Sequence, residues 1–197
     1  HKRIIFNGNG YSDEWVVEAE RRGLPNIKCM VEAVPALVKP EAVEIFEKHG
    51  VYTKAEMESR AEVMYETYSK TINIEALTMI DMAKKQIVPA TIKYQTSLAE
   101  SVNAIKAASS AVDTSVQEAL MADISTNLKD MYAALAHLEE VAGKAEAMEE
   151  GAEQGHYYHD VVFTAMDELR KPADKLEMLV AKSAWPFPSY GDLIFEV

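Results

Sequence analysis

Between Val51 and Glu150 the chain carries a single glycine, Gly143, and a single proline, Pro89. These are the two residues that most often end or bend a helix, so a stretch this long with so few of them predicts long, little-interrupted helices. The opening is its opposite. Asn7-Gly8-Asn9-Gly10-Tyr11 is dense in residues that reach positive φ at low cost, and reads as turns leading into Ser12-Asp13-Glu14-Trp15. The predicted fold class is all-α: an up-down-up bundle of long amphipathic helices, preceded by a short loop-rich segment with shorter helices.

Local signals place the elements. Arg3 to Phe6 reads as a short strand or an extended lead-in. Ser12 is the expected N-cap of a first helix, with Asp13 and Glu14 where the helix dipole favours anions. That helix stops near Arg22, with Gly23 as its C-terminal signal and Pro25 beyond. Residues 24–50 hold three prolines and are expected to form two short helices, the second running from near Pro40 to Gly50. Thr53-Lys54-Ala55-Glu56 is a capping box that opens the first long helix.

In that helix Met57, Ala61, Met64, Tyr68, Ile72, Ala76, Ile80, Ala83 and Ile87 recur at spacings of three and four, resuming after Pro89 through Tyr94, Leu98, Val102 and Ile105. Pro89 is expected to kink or break it. A second helix, from about Ser115 to Glu149, carries Ile124, Leu128, Met131, Leu135, Leu138, Ala142 and Ala145 in alternating steps of four and three. A third begins near His156, with Tyr158, Val162, Ala165, Leu169, Leu176 and Val180 inward and Pro172 as a second expected kink. The links at 109–114 and 151–155 are short enough to make neighbours antiparallel. The expected divisions are an opening segment at 1–52, the long-helix bundle at 53–183, and an apolar tail at 184–197. That tail, with Trp185, Phe187, Tyr190, Leu193, Ile194, Phe195 and Val197, is too apolar to stay uncovered and should pack on the body or on a neighbouring subunit.

Composition narrows the function classes. A net charge of −12 repels phosphate backbones, and no basic run offsets it, so nucleic acid is not an expected partner. No apolar run approaches the roughly 20 residues of a membrane span. Cys29 is the only cysteine, which suits a reducing cytoplasm, the expected location.

Several groupings invite a chemical reading. Glu153-Gln154-Gly155-His156, with His159 and Asp160 nearby, matches one Glu-x-x-His unit of a di-iron bundle. Such a site needs two units plus two further glutamates, so a solvated helix start is the better reading. Asn7 to Gly10 lacks the lysine and hydroxyl of a phosphate-binding loop, and a tight turn is expected instead. Glu75 and Asp81 lie in a segment apolar nearly all round, so at least one should be partly buried and hydrogen-bonded. Met79, Met82 and the other methionines read as core filler, Cys29 as unreactive, and Glu139, Glu140, Glu146, Glu149, Glu150 and Glu153 as a solvated face. No catalytic, cofactor-binding or metal-ligating residue is assigned.

Four blocks carry a family resemblance. Arg3 to Trp15 with Glu20-Arg21-Arg22-Gly23-Leu24-Pro25-Asn26 is the first, and Phe46 to Thr53 the second. Lys70 to Gln86 and Trp185-Pro186-Phe187-Pro188-Ser189-Tyr190-Gly191-Asp192-Leu193 complete them. Together they resemble the C-terminal region of type III glutamine synthetases, most weakly between Val112 and Gly155. The resemblance implies an ATP-dependent ligation of ammonia to glutamate in a full-length enzyme, with ATP and a divalent metal (Mg or Mn) held by an upstream catalytic domain. It implies no cofactor in this fragment, which would be inactive alone. Expected partners are the upstream catalytic domain and neighbouring subunits of a homo-oligomer, with this region serving structure and oligomerisation. The alternatives are a free-standing helical protein-interaction module and a carboxylate-bridged metal enzyme.

Overall fold

The computed structural model describes Ile5 and residues 7–195. The expected lead-in at Arg3 to Phe6 lies outside the described residues apart from Ile5. Among the described residues every regular element is helical, as expected. The chain divides into two compact units, His1–Tyr68 and Ser69–Val197.

The first unit contains α1 (Asp13–Arg21), α2 (Met30–Leu37), α3 (Pro40–Lys48) and the first half of α4 (Lys54–Met82). Ser12 has the extended backbone of an N-cap but makes no capping bond. Its hydroxyl instead donates to the Asn9 carbonyl at 2.9 Å, while Asn9 Oδ1 accepts the Tyr11 N–H at 3.0 Å. The Asn-Gly turn thus competes for the serine, a correction to its expected role.

Helices α1 and α3 end alike. Gly23 and Gly50 take φ of 72° and 63°, and the next residues, Leu24 and Val51, donate back to Ala19 and Phe46 at 2.9 Å. Helix α4 opens with the expected reciprocal box: Thr53 N–H donates to Glu56 Oε2 at 2.8 Å, and Glu56 N–H to Thr53 Oγ1 at 3.3 Å. The apolar face that follows buries Ala61 and Tyr65 with Val31 and Val34 of α2.

The second unit takes in the rest of α4, α5 (Val88–Ala108), α6 (Ser115–Glu146), α7 (Ala152–Tyr157), α8 (Phe163–Leu179) and α9 (Tyr190–Phe195). Pro89 does not break the helix. Ala83–Ile87 is a π turn in which Val88 N–H donates to the Ala83 carbonyl, five residues back. The wider turn gives the proline ring room, and Pro89 falls in the first turn of α5, where its missing N–H matters least.

A second π turn, Tyr158–Val162, joins α7 to α8 and buries Tyr158 and Val162. Pro172 is buried inside α8, and the helix runs on through it to Leu179. Helix α6 packs against both α5 and α8. Its Ile124, Met131, Leu135 and Leu138 are fully buried, as are Val162, Leu169 and Leu176 beyond α7. Each such side chain contributes about 1.5–3 kcal/mol by leaving water.

The third helix starts at Ala152, four positions before the expected one, because Gly155 remains helical and Gly151, at φ 139°, takes the break. Gln154 is thereby carried inward, where its Nε2 donates to the Ala145 carbonyl at 3.1 Å and to Met148 at 3.5 Å. Those carbonyls belong to the last turn of α6 and its exit, where helix acceptors lack partners.

The tail splits in two. Trp185 and Phe187 are half-buried and meet edge to face at 6.2 Å, so this part packs back as expected. Helix α9 does not: Tyr190 is 84% exposed and Phe195 80%. It is nonetheless fixed at its start. Asp192 accepts the Ser189 N–H at 2.8 Å and its hydroxyl at 2.7 Å, and pairs with Lys182. Val197 lies outside the described residues.

Two predictions follow from these contacts. In a urea titration Gln154→Ala should destabilise the chain by about 1–3 kcal/mol, because the buried Ala145 carbonyl loses its donor. Thr91→Val should be neutral or stabilising in the same urea titration, since the Thr91 hydroxyl is buried without a partner. A Thr91→Val loss above about 1 kcal/mol would count against that assignment.

The Lys182 ammonium, then the Ser189 hydroxyl and N–H, pull the Asp192 carboxyl from 3.8 to about 2. Because the folded value is depressed, the contribution is present above 3.8 and lost as pH falls through about 2. The carboxyl carbon of Asp192 should therefore titrate near 2 by NMR, together with the helical shifts of α9. A midpoint near the ordinary value would show that the box does not persist in solution.

Candidate functional site

The residues singled out for chemistry are not brought together. Glu153 and His156 are exposed on α7, and His159 Nδ1 lies 2.7 Å from its neighbour Asp160. Among the described residues no three His, Cys, Asp or Glu side chains group to hold a metal ion. Gly8 to Gly10 form an open, exposed turn, and a Cβ placed on Gly10 would meet nothing within 4 Å. Such a surface offers no cradle for a phosphate. Cys29 is half-buried beside the Val31–Tyr65 cluster.

Glu75 and Asp81 correct the sequence reading, since both are exposed. Asp81 pairs with Lys85 one turn on. Of the apolar residues around them, Ile72 and Ala76 are buried, but Ile74 and Leu77 are 65% and 49% exposed. This face of α4 is apolar in sequence but uncovered. Of the acidic face, Glu139 departs from expectation: it is half-buried and pairs with Lys84 of the first π turn.

What the fold does build is a groove between α4 and α8. Two hollows, of ≈ 500 Å³ and ≈ 240 Å³, adjoin by sharing Met79 and Arg170. The wider one is lined by Ile74, Thr78, Phe163 and Met166. The narrower continues past Met82 and Leu169 to the wall made by Trp185 and Phe187.

Its apolar floor comes from the same 3.6-residue stripes that form the core. The charge around it is one-sided. Glu75, Asp167, Asp174 and Glu177 line it against a single cation, Arg170. Asp174 pairs with Arg170 at 3.3 Å and Asp167 with Lys171 at 2.6 Å. Glu75 and Glu177 form no ion pair among the described residues. Sequence reasoning missed the groove because the signal, apolar residues continuing around α4 beyond its core face, was read as burial.

Comparison with known proteins then fixes the family. The model for the glutamine synthetase C-terminal domain matches residues 1–106. Over 197 residues the chain is 38% identical to a glutamine synthetase of Butyrivibrio fibrisolvens, covering all of this chain and 28% of that protein. It is 29% identical over 199 residues to a type-3 glutamine synthetase of Dictyostelium discoideum, covering 99% and 27%. For a glutamine synthetase of Bacteroides fragilis the figures are 30% over 196 residues, covering 98% and 27%. The chain thus spans about a quarter of the length of the curated relatives it matches. A family-model match to over half the chain, and relatives aligned along all of it, carry one conclusion: the chain belongs to the type III glutamine synthetases, as their C-terminal region.

Proposed function

We propose that this chain is the structural and oligomerisation region of an ATP-dependent glutamate–ammonia ligase, in the cytoplasm, and that it lacks the catalytic site. The observation that carries the reading is alignment over all 197 residues to relatives of which this length is only 28%. The ligase chemistry then belongs to the polypeptide outside this chain. A divalent metal and ATP serve the full-length enzyme, but the side chains present here do not fit either group. No acidic cluster suited to a cation forms among the described residues, and the Asn7–Gly10 turn lies open and exposed.

What this chain's residues do is hold shape. Within the second unit the buried face of α6 holds α5 and α8 against it, and a helical bundle of this kind is suited to bracing a catalytic body or a neighbouring subunit. Most soluble oligomers are homo-oligomers with closed symmetry, and such a brace would be repeated in each subunit.

The test compares three proteins: this chain alone, the full-length polypeptide, and the full-length polypeptide without residues 69–197. Glutamate- and ammonia-dependent phosphate release from ATP should appear in the full-length protein and be absent from the chain alone. Removing 69–197 should reduce the number of subunits per assembly, obtained by dividing the light-scattering mass by the mass of the shortened polypeptide. Turnover by the chain alone would overturn the division of labour. An unchanged subunit number after the deletion would overturn the oligomerisation role.

A further inference from the structure

The groove between α4 and α8 is a feature that the structural role leaves unexplained. Its floor is rich in methionine, with Met79, Met82 and Met166 along it. Unbranched thioethers adapt to whatever packs on them, which suits a docking surface as well as a core. Along α8 it extends from Phe163 to Glu177, about 20 Å, or the length of a helix of roughly fourteen residues. Its charged rim residues carry four carboxylates to one guanidinium. The other polar groups are the Trp185 indole at the far wall and the Thr78 hydroxyl, which donates to the Ile74 carbonyl of its own helix. A small ligand would need convergent polar groups in the floor to orient it, and the floor is apolar.

Charge selects among protein occupants. Glu75 faces the wider hollow beside Asp167, and Glu177 lies ten residues beyond Asp167 on α8, about 15 Å further along. Both carboxylates are without an ion-pair partner among the described residues. A second copy of this chain would bring another net charge of −12 to the same rim, which disfavours self-association here. An apolar trough with unpaired carboxylates near both ends complements an amphipathic helix carrying basic residues near both of its ends. Relatives of which this chain is 28% have ample further polypeptide to supply one, and a tethered segment binds at high effective concentration.

We propose that the groove lined by Ile74, Met79, Phe163, Met166 and Trp185 receives a basic amphipathic helix from the part of the full-length enzyme outside this chain, with Glu75 and Glu177 pairing to its cations. This rests on the reading of the chain as one region of a longer ligase.

The test uses cysteine labelling in a Cys29→Ser background. Thr78→Cys places a thiol in the groove, and Thr126→Cys places one on α6 away from it. Maleimide addition is followed by mass spectrometry on the peptide carrying each position, in this chain alone and in the full-length protein. Thr78→Cys should label at least tenfold more slowly in the full-length protein, with Thr126→Cys unchanged. Adding Glu75→Lys and Glu177→Lys to the full-length protein should restore fast labelling, and Glu75→Gln with Glu177→Gln should do so in part; circular dichroism verifies folding of each.

Equal Thr78→Cys rates in a full-length protein that retains ligase activity would overturn the groove proposal alone. Slow labelling already in this chain, with a dimer mass, would replace the occupant by a second copy. Protection insensitive to both pairs of substitutions would overturn recognition by charge. A full-length protein without ligase activity would instead overturn the functional reading beneath it.

Discussion

The buried face of α6 is the constraint on which the second unit depends. Ile124, Met131, Leu135 and Leu138 turn to one side because their spacing alternates around 3.5 residues. That face contacts both α5 and α8, so one helix sets the position of two others. The polar side of α6 contributes at its edges, with Glu118 pairing to Lys106 of α5 and Glu139 to Lys84 of the π turn. Exposed pairs of this kind contribute little energy. Their value is in register, because each ties a fixed level of α6 to a fixed level of its neighbour.

Long helices concentrate their unsatisfied backbone groups at a few ends, and this chain handles each end with a local device. Glycines at positive φ close α1 and α3, a reciprocal Thr-Glu box opens α4, and a reciprocal Ser-Asp box opens α9. The exit of α6 is closed differently, by the buried amide of Gln154 reaching back from α7. That contact closes the tight link between the two helices. It also explains why Gly155 can be helical, since the positive-φ requirement has moved to Gly151.

These devices differ in how far they can be read from the chain itself. Thr53-x-x-Glu56, Gly23 and Gly50 are short-range signals, and they act as the sequence implies. Ser189-x-x-Asp192 has the same form and was legible, but its setting in an apolar tail obscured it. Ser12 misled because Asn9, three residues away, offers its hydroxyl a competing acceptor. Pro89 left kink and break open because the answer depends on a π turn, and nothing local distinguishes five residues that widen from five that do not. Gln154 and the groove were out of reach for a more general reason. Periodicity shows which faces are apolar, whereas burial depends on which neighbours the fold brings to those faces.

That last distinction bears on function. Ile74, Leu77 and Phe163 are as apolar as the residues that fill the core, yet they stand exposed beside it. A lone bundle would gain stability by making such positions polar, as it does along Glu140, Lys144 and Glu146 of α6. Retaining apolar side chains along this stretch of α4 and α8 while lining it with carboxylates gives the second unit an apolar groove with an acidic rim. In the proposed docking, hydrophobic area would supply the attraction and the one-sided carboxylates the selectivity for a basic partner. In a chain spanning 27–28% of its relatives, that groove is the surface on which the proposed helix from outside the chain would be held.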